Sequence, residues 1–363
     1  MSKNFLSFEQ LKLLDKRIRF AEETAASKEF YSHLLTKIHR RSAARILVVG
    51  TGASYPAAIF AKYALEHIFR NALIDSQTPQ TAFTLISKKY YDFVIGISYS
   101  GKTPDIKEVA SVCAKIGANF VLVTGAKPNE LDNFYLTNYL FKIISYYNPR
   151  DNTGKEYGMA SMASTLIPCI IFDDNGERKL IHENQMALAS ARSWVNDLDT
   201  KKIASLIKSC PIVHVFYEHD TLVTALDIQN KFTESGIANV ILHEKKNFSK
   251  RMYTTLYTQP FSLLINLTRF SIASTSDYKF YRTNYDKLLA KFLNNLHVCK
   301  PQDTYYLEFG TSVVGAAQWN IEALTKLPYL IAKIGEELGI DISQPLVPHT
   351  EEAFELYNYT GDF

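Results

Sequence analysis

Two short segments rich in glycine and hydroxyl side chains each lie between an apolar run and a stretch of helical periodicity. They are Gly50–Tyr55 (GTGASY) and Ser98–Thr103 (SYSGKT). Small residues let backbone N–H groups approach a ligand, and serine and threonine add neutral hydroxyl donors. The helix that follows each segment points its positive end at the same place. The chemistry indicated is anion binding, and a phosphate monoester suits the second segment.

Each turn taken alone has a simpler explanation. Ser100 or Thr103 could cap the helix that begins at Pro104, since serine and threonine are preferred at that position. A dinucleotide site is disfavoured in the first turn because Tyr55 stands at the third glycine of GxGxxG. Two such turns after successive strands of one sheet favour a ligand site, because ligands of open α/β sheets bind at the carboxyl ends of the strands.

Short apolar runs predict the sheet that must hold these turns, because strands covered on both faces are continuously apolar. In the first half the predicted strands cover 45–50, 93–97, 120–123 and 139–144. Helices are predicted over 5–40, 55–69, 104–116 and 160–171. Gly117 should end the third of these helices, and residues 75–79 are predicted to form a loop.

The second half repeats this organisation without a visible sequence repeat. Strands are predicted over 211–216, 238–242, 261–267 and 305–309, with helices over 220–233 and 312–338. Alternation of strands and helices indicates crossover units and a parallel sheet. We therefore predict an α/β fold with a helical segment at 1–40, a first domain at 41–199 and a second domain at 200–363.

Three segments in the first half resemble, in order and spacing, the signature segments of sugar isomerase (SIS) domains. They are GTGASY, SYSGKT and Gly154–Ser161 (GKEYGMAS). The resemblance is closest to the isomerase half of glucosamine-6-phosphate synthase and also covers fructosamine-phosphate deglycases. It spans roughly residues 40–170 and is faint over 200–363. It implies two tandem SIS domains, each a mainly parallel sheet flanked by helices, and a phosphorylated sugar as the small-molecule partner.

The resemblance also assigns substrate contacts to particular positions. Those near the sugar or its phosphate are Gly52, Ser54, Ser98, Tyr99, Ser100, Thr103, Met159 and Ser161. The two serines and the threonine of the second segment are expected to hold the phosphate. Tyr99 stands where many members have glutamine, which would narrow the pocket.

A glutamate on the first helix of the second domain is the general base implied by the resemblance, and it falls at Glu234. A carboxylate can move a proton between C1 and C2 of a sugar through an enediol. The alternative for Glu234 is an ordinary exposed helix residue. The histidine that assists ring opening in the family has Lys250 at its expected position, and His243 is the candidate substitute. The alternative for His243 is a polar residue at the end of a strand.

Composition excludes several other classes of protein. Hydrophobic residues make up 47% of the 363 residues and the net charge is +3, which fits a large core and no nucleic-acid partner. The four cysteines form no CxxC pair, which argues against a structural zinc site. No metal constellation is visible in the sequence, and proton transfer through an enediol requires none, so we predict no metal and no cofactor. The N-terminal stretch does not resemble a signal peptide and no run is long enough to span a bilayer, so we expect no membrane partner and a cytoplasmic location.

Two hypotheses on function remain open at this stage. The chain could be an aldose–ketose isomerase, or an amino-sugar phosphate isomerase or deglycase that uses the same proton transfer. It could also be a sensor or regulator that binds the sugar phosphate without turning it over, because the family histidine is missing. The resemblance further implies a homodimer.

Overall fold

The chain was examined as a computed structural model that describes most of both halves. The described residues are 16–20, 44–88, 91–146, 157–173, 190–245, 247, 256, 261–267, 291, 305–309, 316–340 and 342. Of these, the side chains of 157–163, 173, 306 and 308 are outside the description.

The first half forms a five-stranded parallel sheet, sheet A. Its strands are β1 (Arg45–Gly50), β2 (Leu73–Gln77), β3 (Phe93–Ile97), β4 (Asn119–Thr124) and β5 (Phe141–Ser145), in the order β2-β1-β3-β4-β5. The helices are α1 (Tyr55–Ile68), α2 (Pro79–Lys88), α3 (Pro104–Ile116), α4 (Asn133–Thr137) and α5 (Tyr157–Asp173). Every residue of β3 is buried, as expected for a strand covered on both faces. The strands predicted from apolar runs are confirmed.

The loop predicted at residues 75–79 is wrong. Residues 75–77 are the second half of β2, and α2 begins at Pro79. As an edge strand, β2 buries only Ile74, so its polar residues leave no apolar run in the sequence. The Asp75 carboxylate accepts a hydrogen bond of 2.8 Å from the Tyr91 hydroxyl.

The second half contains a four-stranded parallel sheet, sheet B, in the described residues. Its strands are β6 (Ile212–Tyr217), β7 (Asn239–Glu244), β8 (Leu263–Asn266) and β9 (Tyr305–Glu308), in the order β7-β6-β8-β9. The helices are α6 (Thr200–Ser209), α7 (Leu222–Glu234) and α8 (Ala316–Leu338). The strand order repeats that of the first four strands of sheet A, so the repeated organisation is confirmed at the level of topology. The domain boundaries near residues 40 and 200 remain predictions.

One apolar cluster runs through both halves. It joins the face of sheet A under α1 and α5 to sheet B, α7 and α8, through residues such as Phe60, Ile167, Phe232 and Leu330. Helix α1 packs against α7, and α5 packs against α8. A second cluster covers the opposite face of sheet A. The two halves therefore share a core in addition to touching at their surfaces.

Candidate functional site

The two hydroxyl-rich turns meet at one point of sheet A. Strands β1 and β3 are neighbours, with Gly50 paired to Ile97 at their carboxyl ends. The chain leaves β1 toward β2 on one side of the sheet and returns to β3 on the other. Such a reversal of strand order opens a crevice at the carboxyl ends of the strands, where ligands of this sheet class bind. Both turns line that crevice.

The first turn, which follows β1, is a single 3₁₀ turn over Gly52–Ser54. Gly52 has φ +52°, a left-handed conformation that glycine adopts readily. A side chain at Gly50 would place its Cβ 2.4 Å from the Ser54 carbonyl oxygen, so the turn needs glycine there as well. Ser54 itself is buried at the start of α1, and its hydroxyl makes no cap bond to the described backbone of that helix.

The second turn, which follows β3, gathers its hydroxyls around Ser98. The Ser98 side chain is buried, and its Oγ accepts a 3.1 Å bond from the Gly101 N–H. The same oxygen lies 2.8 Å from the Thr103 hydroxyl. The Ser100 hydroxyl accepts from the Lys102 N–H at 3.2 Å. Three neutral hydroxyls at the start of α3 form a compact set of donors that suits a phosphate.

The second turn is held against the end of β4. The Tyr99 carbonyl accepts from the Gly125 N–H at 3.0 Å and from the Thr124 hydroxyl at 3.2 Å. Gly101 has φ +67°, and a Cβ there would lie 2.3 Å from Leu131 Cδ2 and 3.0 Å from Thr124 Oγ1. The turn is therefore shaped by contacts outside itself and is pre-organised.

Simple helix capping does not account for these hydroxyls. Thr103 is the N-cap residue of α3, but among the described groups its hydroxyl accepts no bond from the first turn of that helix. Ser100 accepts from Lys102, two residues ahead and outside the helix. Thr103 is therefore the N-cap residue, as one alternative predicted, but neither hydroxyl caps α3 through its side chain.

The second half contacts the first turn through polar groups of α7. Asn230 donates a 3.1 Å bond from Nδ2 to the Gly52 carbonyl. The Thr165 hydroxyl of α5 lies 2.7 Å from both the Ala53 carbonyl and the Asp227 carboxylate. Asp227 in turn pairs with Lys231 one turn along α7. A buried polar chain thus links the first turn to the second half of the molecule.

The charged pair in this chain is removed from water. The side chains of Asp227 and Lys231 are each 1% exposed. Burial raises the pKa of Asp227, while the Lys231 ammonium and the Thr165 hydroxyl oppose that rise. Removing one partner from such a pair leaves an uncompensated buried charge.

Sequence reasoning missed these contacts, although a signal was present. Asp227, Asn230, Lys231 and Glu234 recur at spacings of three and four along α7, which places them on one face of the helix. The face is polar in a helix that is otherwise largely buried. Thr165 gave no signal, because it lies inside an apolar helix.

Glu234 is exposed and is the last residue of α7. It lies four residues beyond Asn230, whose amide contacts the Gly52 carbonyl, so both belong to the same face of the helix. The sequence candidate for the base is therefore one helical turn from the residue that contacts the first hydroxyl-rich turn.

His243 lies in the interior of sheet B. It is on β7, is 1% exposed, and its Nε2 is 2.6 Å from Nδ1 of His214 on β6. The two rings stack at 4.9 Å, and Phe216 stacks on His243 from β6 at 5.1 Å. Burial lowers the pKa of each histidine to about 4, so both are neutral at pH 7.

The third signature segment is described only in part. Met159 and Ser161 lie in the first two turns of α5, and their side chains are outside the described set. Lys250, at the position expected for the family histidine, is also outside the described residues.

Comparison with known proteins identifies the first half. Residues 40–173 match the SIS domain family, a span that holds all of sheet A and ends with α5. This segment is a SIS domain. The first two signature segments are the two hydroxyl-rich turns, and both lie at the crevice of sheet A. No curated protein matches the chain.

Solved structures similar to this chain extend over both sheets. A proposed tagatose-6-phosphate ketose/aldose isomerase from Clostridium novyi NT aligns with a TM-score of 0.67 and 15% identity, covering 92% of this chain and 89% of that one. The C-terminal domain of glucosamine-fructose-6-phosphate aminotransferase from Francisella tularensis gives 0.61 and 14%, covering 93% and 97%. Glucosamine-6-phosphate deaminase from Thermotoga maritima gives 0.57 and 15%, with the same coverage. The similarity in fold to these proteins therefore extends beyond the SIS domain, over 92–93% of this chain.

The described helices include none that is both long enough and apolar enough to cross a membrane.

Proposed function

We propose that the chain binds a phosphorylated sugar in the crevice between the turns after β1 and β3, and that it isomerises this sugar or releases an amine from it. The single observation that carries the proposal is the pair of hydroxyl-rich turns at the strand-order reversal of a SIS domain. The phosphate would take the donors of Ser98, Ser100 and Thr103. The sugar would extend toward Gly52 and Ser54, with Met159 and Ser161 predicted to lie near it.

Glu234 is the proposed base. Its position one turn from Asn230, which touches the Gly52 carbonyl, supports a carboxylate at the sugar end of the crevice. In the proposed reaction Glu234 removes the proton from one of the two carbons C1 and C2 and returns it to the other through an enediol. Where C1 or C2 carries an amine, the same proton transfer leaves an imine at that carbon. Water then hydrolyses the imine to a carbonyl and the free amine, which gives the deaminase or deglycase variant of the reaction.

A binding protein without turnover is the second candidate. The observation that favours it is the burial of His243, whose ring is paired with His214 inside sheet B. An acid that opens a sugar ring must touch the ring oxygen, and the burial of His243 does not support it in that role, which stays a prediction. A homodimer and a cytoplasmic location also stay predictions.

The first experiment measures binding by thermal unfolding with a panel of sugar and amino-sugar phosphates and the matching free sugars. A ligand at about 100 times its Kd should stabilise the protein by about 2.7 kcal/mol. Ser98→Ala with Ser100→Ala should weaken binding by about 3–6 kcal/mol, since each lost bond to a charged phosphate costs about 1.5–3 kcal/mol. Ser87→Ala is the control, because that exposed hydroxyl bonds the Thr84 carbonyl within α2. Unchanged affinity in the double variant would refute the phosphate site.

The second experiment separates the isomerase from the binding protein. The phosphate that gives the largest shift is incubated in D₂O, and uptake of deuterium at C1 or C2 is followed by NMR. We expect uptake with the wild type, binding without uptake for Glu234→Gln, and normal uptake for Glu336→Gln, an exposed glutamate of α8. Binding without any uptake by the wild type would favour the sensor, and full uptake by Glu234→Gln would exclude this base.

A further inference from the structure

Arg17 is a fully buried arginine in the described helical stretch 16–20. Its side chain is 1% exposed, while its neighbours Lys16 and Arg19 are exposed. Ile18, the next residue, belongs to the apolar cluster that runs through both halves. The stretch therefore packs on the core, with the side chain of Arg17 buried.

The buried guanidinium has donors that the fold does not use. Within the described part of the chain, neither Nε nor Nη1 of Arg17 has a hydrogen-bond partner, although both atoms are buried. A guanidinium stays charged at every pH at which proteins are studied and has five N–H donors. A buried charge without a partner is expensive for the folded state. An arginine kept in this way is poised to bind an anion.

The hydroxyl of Tyr146 is a second unused donor in the same region. Tyr146 directly follows β5, at the carboxyl edge of sheet A, and its buried hydroxyl has no partner among the described residues. Burial raises the pKa of Tyr146 well above its usual value, Tyr99 adds to this, and the positive charge of Arg17 opposes it. Arg17 is therefore close enough to act electrostatically on this phenol.

Tyr99 connects these two donors to the second hydroxyl-rich turn. A Cβ built at Gly125 would lie 3.1 Å from Cε2 of Tyr146 and 3.3 Å from Cδ2 of Tyr99, so the two rings flank the same glycine. Tyr99 stands between Ser98 and Ser100 in the turn itself. The Tyr146 ring therefore lies beside the tyrosine of the second turn, and Arg17 acts electrostatically on the same Tyr146.

We propose that Arg17 and the Tyr146 hydroxyl form an oxyanion subsite beside the turn over Ser98–Thr103. The subsite rests on the proposed function, because it would hold an oxyanion of the same bound sugar derivative. That oxyanion is either the phosphate itself or a carboxylate on the part of the molecule that extends beyond the phosphate. Guanidinium groups bind both through paired, charge-assisted hydrogen bonds.

Thermal unfolding of Arg17→Met tests the subsite, with inorganic phosphate and malonate as probes. Without an anion, Arg17→Met should raise the melting temperature above that of the wild type, because an unpaired buried charge is removed. The variant should also bind at least one probe about 10- to 100-fold more weakly. Tyr146→Phe should weaken the same probe less, and Arg19→Met, on the exposed side of the same stretch, should change neither quantity. A lower melting temperature for Arg17→Met would make the guanidinium structural and overturn the proposal.

The double variant Ser98→Ala with Ser100→Ala identifies which anion binds to the subsite. A phosphate response lost in both this variant and Arg17→Met makes the phosphate the shared ligand. A malonate response lost only in Arg17→Met makes a carboxylate the ligand. A different pattern would overturn the subsite and leave the proposed function intact. In that pattern Arg17→Met keeps the full phosphate response, the serine variant loses it, and the wild type does not respond to malonate. A wild type that responds to neither probe overturns the subsite as well.

Discussion

Replacement of Lys231 by methionine tests the polar chain that joins the second half to the first turn. The methionine fills most of the space of the lysine but leaves the Asp227 carboxylate without its cation, and both side chains are 1% exposed in the wild type. Breaking a buried pair in this way costs about 3–5 kcal/mol. That is a large share of the roughly 5–15 kcal/mol that stabilises a typical domain. We expect a loss of this size in the free energy of unfolding at pH 7.

The double variant Asp227→Leu with Lys231→Met is the matched control. It removes both charges at once. The Thr165 hydroxyl can still donate its hydrogen bond to the Ala53 carbonyl, which lies 2.7 Å away. Replacing a buried pair by apolar groups is often neutral or stabilising. The double variant should therefore be much more stable than Lys231→Met.

The pH dependence of Lys231→Met adds a second signature. Burial holds the pKa of Asp227 above its usual value of 3.8 in the folded protein, and this effect grows when the ammonium is absent. The unfolded chain then loses its proton at lower pH than the folded chain, so stability falls as pH rises between the two pKa values. The deficit of Lys231→Met relative to the wild type should therefore shrink from pH 7 toward pH 5.

Urea unfolding followed by circular dichroism and by the fluorescence of the two tryptophans measures these differences. Coincident transitions from the two probes would permit a two-state analysis. A Lys231→Met protein within about 1 kcal/mol of the wild type at pH 7 would refute the reasoning. So would a double variant as unstable as the single one.

Three further perturbations follow from other parts of the structure. The stability contributed by neutral His214 and His243 should be fully present above pH 6.5 and should be lost as pH drops toward 4, because burial lowers both pKa values to about 4. One such shift corresponds to about 3 kcal/mol. The double phenylalanine variant should flatten this urea-unfolding profile, and an unchanged slope would contradict it. Gly101→Ala should destabilise the protein more than Gly117→Ala does and should abolish phosphate binding. Both glycines have positive φ, but only a Cβ at Gly101 would lie against neighbouring side chains. Equal melting temperatures of the two variants would contradict this. Burial raises the pKa of the Cys113 thiol to about 12, so this thiol should react with iodoacetamide at pH 8 only after unfolding. Rapid labelling of the native protein, measured by mass spectrometry, would contradict its burial.

All the described strands except β2 could be predicted because their sequences read as apolar runs, and β3 is buried along its whole length. The edge strand β2 was missed, since Asp75 and Gln77 give it the composition of a loop. The positions of the two hydroxyl-rich turns could be predicted as well, because each lies between an apolar run and a stretch of helical periodicity. The order of the strands could not be predicted from the sequence, although this order brings the two turns together at the ends of β1 and β3.

The contacts between elements distant in sequence were beyond sequence reasoning. Nothing in the sequence pairs Thr165 with Asp227, which are 62 positions apart. The register of β6 and β7 decides that His243 meets His214, and a shift by one residue would turn His243 to the other face. The burial of Arg17 could not be predicted, because the direction of one side chain depends on how its helix docks.

The apolar cluster shared by the two halves has a consequence for how the protein can evolve and be divided. Since α1 and α7 bury their faces against each other, neither half should fold alone, and a fragment ending near residue 199 should aggregate. Proteins that close two lobes over a substrate need a hinge with few contacts across it. Here the described residues of the two halves share one apolar cluster instead. A change of substrate should therefore come from exchange of side chains around the crevice. Residues of the second half, such as Asn230, can contribute to this exchange as readily as those of the first half.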